Sequence, residues 1–232
     1  MKEEKVAPQE PGAPSPDGLI RVDLHCHTVL SFDGTIHLRV LERQARARGL
    51  DVVAITDHNE IDAARWAQEH LSIRIIVGEE MRTAAGDIIG LFLKEKIPPD
   101  LPLEETLLRI RDQGGLAYLP HPFPGLRANG VAESELVQVA SQVDIVEVLN
   151  ARNRTDWQNL KAQQLAERVG KPKGAGSDAH GPFEIGSAWV EMPDFDGPES
   201  FIRSLGRARI CGSRISFPVR LYTAGVRRLM RL

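Results

Sequence analysis

The chain has 232 residues, 29 Lys and Arg against 32 Asp and Glu, a formal net charge of −3 and 42% hydrophobic residues. This length suits one α/β domain with a substantial core, and the near balance of charge gives no global signal for a nucleic-acid partner. Two cysteines, Cys26 and Cys211, are too few for a disulfide framework, and no apolar run approaches the ~20 residues of a membrane span; a cytoplasmic protein without a membrane partner is expected.

Residues 1–17 are rich in Pro, Gly and Glu, lack the apolar stretch of a signal peptide and read as a disordered lead-in. From residue 18 short apolar runs alternate with helical spacing. Strands are expected at 19–24, 51–56, 73–77, 87–93, 116–119, 143–149 and 173–176, the fourth following a turn at Ala84–Gly86. Helices are expected at 36–48, 61–70, 103–113, 133–141 and 156–169, the first closed by Gly49 and the third by Gly114 and Gly115. Such alternation predicts a mostly parallel sheet covered by helices, in a single domain over 18–232. From 201 to 232 the chain carries eight arginines and no acidic residue. That segment reads either as a contact for polyanions or, more plainly, as a solvated helix with a basic tail.

The seven histidines are unevenly placed. His25 and His27 follow LIRVDL, His58 follows DVVAIT, His121 follows LAYL, and His180 follows KGAG by four residues. Asp23, Asp33, Asp57, Glu79, Glu80, Glu147 and Asp178 keep the same company. In a closed α/β barrel the parallel strands end on one face, and the active site is built there. Five such strand ends therefore bring imidazoles and carboxylates together, the donors that suit Zn²⁺, Mn²⁺ and Fe²⁺.

Within His25-x-His27 the period of two points both rings to one side and Cys26 to the other, which favours a packed thiol. Asp178-x-His180 repeats that logic. Asp33 sits in SFDGT, where an Asp-Gly pair also suits a turn; beside His25 and His27 it reads as a ligand. Asp57 could bind metal or hold a neighbouring imidazole, and the second is favoured. Alternation from Ile76 favours Glu80 over Glu79. His37 and His70 fall inside helices and read as surface or packing residues.

The pieces DLHCHTVLSFDGT (23–35), ITDHNEI (55–61), VGEEM (77–81), LPHPF (119–123), DIVEVLN (144–150) and GSDAH (176–180) resemble, in order, the motifs of the PHP superfamily, named for polymerase and histidinol phosphatase. The resemblance spans about residues 20–192. It implies a distorted seven-stranded (β/α) barrel of TIM-like type and two or three divalent metal ions, with manganese, zinc or iron as candidates. By motif the ligands would be His25, His27, Asp33, His58, Glu80, His121, Asp178 and His180. One departure stands out. Many trinuclear members carry a histidine where this chain has Asp87, so Asp87 is a substitute oxygen ligand or the third ion is weakly held. Glu147 either approaches the cluster or serves as a structural carboxylate.

No side chain reads as a protein nucleophile, so hydrolysis of a phosphate mono- or diester by a metal-bridging hydroxide is the expected reaction. His121, Asp178 or His180 would assist proton transfer, and Arg82, Arg127 and Arg152, each close behind a motif, are candidates for gripping phosphate. A small-molecule phosphate ester is the expected substrate, with a nucleic-acid end as the other candidate. Two readings compete. An amidohydrolase would use a strand-end lysine to bridge its metals, for which only Lys173 is placed; a non-catalytic PHP-like binding module would have a broken ligand set, whereas here the positions are filled.

Overall fold

The computed structural model describes residues 18–123 and 133–230. The expected disordered lead-in, residues 1–17, lies outside that range. Nine strands form one continuous sheet: β1 (Ile20–Cys26), β2 (Val52–Ile55), β3 (Arg74–Thr83), β4 (Gly86–Leu91), β5 (Leu116–Leu119), β6 (Ile145–Asn150), β7 (Lys173–Gly176), β8 (Ala188–Met192) and β9 (Arg209–Gly212). Their spatial order is β7-β6-β5-β4-β3-β2-β1-β8-β9. Beyond β7 the sheet curls back to β1, where His27 N–H donates to Ala179 O at 2.9 Å and Asp178 N–H donates to His25 O at 2.8 Å. The result is a nearly closed α/β barrel of β1–β7. The strand count exceeds the expected seven because β8 and β9, which the sequence reading did not anticipate, run antiparallel off the free side of β1.

The sheet is also less parallel than expected. β4 is antiparallel to both β3 and β5. A connection of two residues between Thr83 and Gly86 cannot make a crossover, so the chain must double back as a hairpin. Its last turn position is Gly86, at φ 111°, where an L side chain would be strained. β3 runs on from the expected 73–77 as far as Thr83, because this hairpin gives its second half a partner.

The described residues form seven α-helices: α1 (Leu38–Ala47), α2 (Asp62–His70), α3 (Leu103–Asp112), α4 (Glu133–Gln142), α5 (Asp156–Val169), α6 (Pro198–Leu205) and α7 (Phe217–Met230). Two apolar layers result. One lies between barrel and helices and includes Leu41, Ala45, Ala67, Ile75, Val77, Leu107, Ile110, Leu165 and Cys26. The other fills the barrel with Val22, Leu24, Val52, Ala54, Ile76, Ile89, Leu91, Tyr118, Ile145 and Ala175, continuous with Phe195, Phe201 and Leu205. The α5 boundaries coincide with the sequence expectation. Its start is fixed by Gln158, whose Oε1 accepts from Arg154 N–H and Thr155 N–H, and its end by Gly170 at φ 65°. Among the described residues no helix is long and apolar enough to cross a membrane.

Candidate metal centre

The first two candidate ligands owe their direction to an irregularity in β1. Val22 and Leu24 point into the barrel, so strict alternation would send Cys26 inward and His25 and His27 outward. The β1–β2 register instead slips between Asp23 and Cys26. This bulge turns the phase by one residue. His25 and His27 then face the barrel mouth, and Cys26 is buried in the layer beneath the helices, as expected for a packed thiol. β7 must pass close behind: a Cβ on Gly176 would stand 2.3 Å from the Cβ of His25.

Around these rings the strand ends deliver the other donors. β2 is prolonged past Ile55 by Glu80 N–H to Asp57 O and Asn59 N–H to Glu80 O, which sets His58 beside Glu80. Glu80 lies on the Ile76 side of β3, toward the barrel interior. Glu79 faces the other way and accepts from Ile97 N–H at 2.8 Å. His121 and Asp178 are held at φ 25° and 51°, a sparsely populated region for residues with a side chain and a recurrent cost at functional sites. Three groups of side chains result, with donor atoms inside each lying within 4.8 Å of one another: His27, Asp33, His58 and His180; His25, Glu80 and His121; His25, His27 and Asp178. Together they contain all eight residues expected from the motifs.

The fit to cations can be tested on distances. His25 Nε2 lies 3.0 Å from His27 Nε2, 3.1 Å from Glu80 Oε2 and 3.6 Å from Asp178 Oδ1. His27 Nε2 lies 3.2 Å from Glu80 Oε2 and 3.4 Å from Asp178 Oδ1. Four donors placed 2.0–2.2 Å from one Zn²⁺ in a tetrahedron would be roughly 3.3–3.6 Å apart, close to these edges.

Hydrogen bonding gives the same answer. His180 Nδ1 donates to the Asp178 carbonyl at 2.8 Å, an atom that can only accept, so Nε2 carries the lone pair in the neutral ring. That lone pair faces Asp33 Oδ2 at 2.9 Å. Burial, reinforced by His27, lowers the His180 pKa against the pull of Asp33, which disfavours a second proton there. Two facing acceptors then need a cation between them.

The wider cluster demands positive charge too. Burial alone would lower the His27 pKa, but bonds to Asp178 and Glu80 raise it to about 9. His121 reaches about 9 against the same burial through Glu80 and Asp178. Burial would raise the carboxyls of Glu80 and Asp178, yet the imidazoles hold both well below the ordinary carboxylate range. Ionised carboxylates packed against imidazoles will bind protons or metal ions, and the histidine–carboxylate donor set suits Zn²⁺, Mn²⁺ or Fe²⁺.

A second layer aims the first. Glu147 accepts from His25 Nδ1, Tyr118 OH, His121 N–H and Asn150 Nδ2, so it supports the cluster from behind. Asp57 accepts from Thr28 N–H and Thr28 Oγ1; it fastens the backbone after His27, whereas an imidazole was the expected partner. Asp87 stands near Glu80 with its pKa raised, chiefly by burial and then by that neighbour, but belongs to none of the three groups. His70 is exposed at the end of α2, and His37, expected inside a helix, is exposed in extended backbone just before α1.

The phosphate candidates separate. Arg82 is exposed, and its Nε and Nη2 both donate to Asp100, which gives no support to a phosphate role. Arg127 lies outside the described residues. Arg152 stands close enough to Asp178 and His180 to shift their pKa values; its Nη1 donates to the buried Glu184 at 2.8 Å. Lys173 is on the surface with Glu167 at 2.7 Å, which removes the lysine bridge of the amidohydrolase reading.

Sequence reading missed three residues. Asn150 Nδ2 donates to both Glu147 and Asp178. Glu184 accepts from His180 N–H and Gly181 N–H. Phe32, 70% exposed, stacks on His58 with ring centroids 5.0 Å apart. Asn150 closes the quoted motif DIVEVLN and Phe32 lies within DLHCHTVLSFDGT, so both could have been weighed; nothing local marks Glu184.

Comparison with known proteins agrees with this geometry. A family model described as PHP domain matches residues 23–163, and a second, described as PHP-associated, matches 156–210. An uncharacterized protein of Methanocaldococcus jannaschii is 37% identical over 196 residues, covering 80% of this chain and 79% of its own. A 5'-3' exoribonuclease of Haemophilus influenzae is 29% identical over 133 residues, 51% of this chain and 47% of that protein. Among solved structures, a two-domain protein of Bacteroides vulgatus containing a predicted PHP-like metal-dependent phosphoesterase superposes with a TM-score of 0.67 at 20% identity, over 90% of this chain and 70% of that one.

Proposed function

The chain belongs to the PHP family, and from that premise we propose that it hydrolyses a phosphate mono- or diester with the help of two or three divalent ions, drawn from manganese, zinc and iron. The observation that carries this reading is the crowding of His25, His27, Glu80 and Asp178 at metal-ligand spacing. His25, His27, Asp33, His58, Glu80, His121, Asp178 and His180 would hold the ions. Bound there, they would polarise the phosphoryl oxygens and lower the pKa of water toward ~7.

The chain's own side chains do the rest. Glu147 accepts a hydrogen bond from His25 Nδ1–H and so presents the Nε2 lone pair to the centre. The Asp178 carbonyl fixes the His180 ring through Nδ1 and leaves the Nε2 lone pair beside Asp33, where both would hold an ion. His121, 20% exposed in its side chain, would pass a proton to the leaving oxygen; the ionised Asp178 and the neutral His180 ring, the other two candidates, could act on a proton only as acceptors. Arg152, whose Nη1 is already on Glu184, would bind a non-bridging phosphoryl oxygen beside Asp178 and His180. The substrate we favour is a small phosphate ester; the exoribonuclease relative makes a nucleic-acid end the second candidate.

The test is a panel of phosphate monoesters, diesters, short oligonucleotides, amides and lactones, assayed after reconstitution with Mn²⁺, Zn²⁺ or Fe²⁺. Chelator-sensitive release of phosphate or a phosphomonoester is expected. Turnover of amides or lactones alone would replace the reading with an amidohydrolase, and protein that neither binds metal nor hydrolyses anything would be a binding module.

A further inference from the structure

The arginine-rich C-terminal segment has a use that its sequence did not disclose. We infer that residues 214–223 form a clamp holding two loops of the metal centre in register, with Arg220 as its main positioning residue. This segment lies beyond both stretches matched by family models, 23–163 and 156–210.

Arg220 is partly buried and spends its side chain on backbone carbonyls. Nη2 donates to Ala151 O at 3.1 Å and Asn153 O at 2.7 Å, while Nε donates to Ile215 O at 3.1 Å. Ile215 N–H closes the loop by donating to Ala151 O at 2.7 Å. Arg214 grips the same stretch farther on, with Nη1 to Arg154 O at 2.8 Å and its other nitrogens on Asp156. The chain so held, 151–156, follows directly from Asn150, which donates to Asp178 and Glu147, and contains Arg152. A solvated cation would need none of these carbonyls.

One turn farther along α7, Thr223 closes on the second loop. Added to Gly181, a Cβ would stand 2.4 Å from Thr223 Oγ1 and 3.1 Å from Thr223 Cβ, so helix and loop touch with no room for a methyl group. Gly181 adjoins His180, and Phe183 two residues on meets Tyr222 edge to face at 5.3 Å. The two loops are also joined through Arg152 and Glu184, whose carboxylate takes the His180 N–H. The segment thus contacts the Asn150–Arg152 loop on one side and the His180–Phe183 loop on the other. Asp178 and His180 are set between those two attachments.

This inference rests on the metal-centre reading, not on the identity of the substrate. It is tested on the full chain by Mn²⁺ binding, measured by calorimetry well below the melting temperature, together with amide exchange. Arg220→Met should weaken Mn²⁺ binding by about tenfold, the scale of losing outer support for ligands. Arg220→Lys, which can still donate to a carbonyl, should recover part of the loss. Exchange at residues 150–153 and 180–184 should quicken while β2 and β3 stay protected, and this readout holds even if the wild type takes up no Mn²⁺. Arg228→Ala, on the exposed side of α7, should change neither. Should Arg220→Met fail to fold, Gly181→Ala supplies the second route: it should weaken binding, and Thr223→Ala added to it should restore affinity to within about threefold. Wild-type affinity and unchanged exchange in a folded Arg220→Met, or in Gly181→Ala, would overturn the clamp. A wild type that binds Mn²⁺ but cleaves no phosphate ester would leave the clamp standing and defeat the proposed reaction instead.

Discussion

The interior of the barrel and its mouth are built from the same strands under opposite rules. On β3, Ile76 packs into the apolar filling and Glu80, four residues on, enters the cluster; on β6 the change from Ile145 to Glu147 takes two residues. Below, side chains keep strand alternation and cover apolar surface. At the mouth the chain accepts a bulge in β1, positive φ at His121 and Asp178, and buried ionisable groups packed against one another. The positive φ values and the buried ionisable groups both oppose stability, and a bound cation would offset the second. The contrast teaches that folding is secured by the filling, while the mouth is organised for a ligand.

The sharpest way to break this comparison is to remove a residue that serves only the mouth. His25→Ala should lower metal-dependent hydrolysis by at least about 10³-fold, the upper scale for losing a charge-stabilising group, as read from kcat/KM with saturating Mn²⁺. Its Tm in chelator should not fall in proportion. Wild-type protein should lose Tm on chelation, because an ion at 100 times its Kd contributes about 2.7 kcal/mol. The converse variant is Leu91→Ala, fully buried on β4, which supplies no member of the three groups of candidate ligands. It should destabilise by about 2–5 kcal/mol in denaturant unfolding yet leave Mn²⁺ affinity unchanged at low temperature. If Leu91→Ala cost affinity and His25→Ala cost mainly stability, the division between filling and mouth would be wrong.

How far each region could be read in the sequence follows from the same division. The filling and its helices obey periodicity, so α5 was legible to its ends and most barrel strands to within a few residues. The candidate ligands were legible as a set because imidazoles and carboxylates recur at strand ends in a family's order. What escaped was set by tertiary partners. The antiparallel course of β4 depends on a short turn, and the added strands β8 and β9 depend on an edge that β1 leaves open. Glu184, Phe32 and Arg220 act through contacts with residues distant in sequence, which no local pattern encodes. The bulge in β1 is the instructive case. The pairing of His25 with His27 was correct, but the phase that turns them inward was supplied by neighbouring strands.

Smaller effects sharpen the boundary between the cluster and its supports. All four partners of Glu147 donate to it: His25 Nδ1, Tyr118 OH, His121 N–H and Asn150 Nδ2. Glu147→Gln keeps the shape but turns an NH₂ group against at least one of them, so Mn²⁺ affinity or activity should fall about 10–100-fold. Unchanged affinity would reduce Glu147 to packing. Arg82→Ala is the smallest case. Its guanidinium is exposed and paired with an equally exposed Asp100, and solvent screens such pairs. If Arg82 has no part in gripping phosphate, kcat/KM should stay within about twofold of wild type, the limit of what a screened surface pair would move. A loss of tenfold or more, confined to KM, would mean that Arg82 leaves Asp100 when substrate arrives, and the mouth would then extend outward along β3 beyond the three groups of candidate ligands.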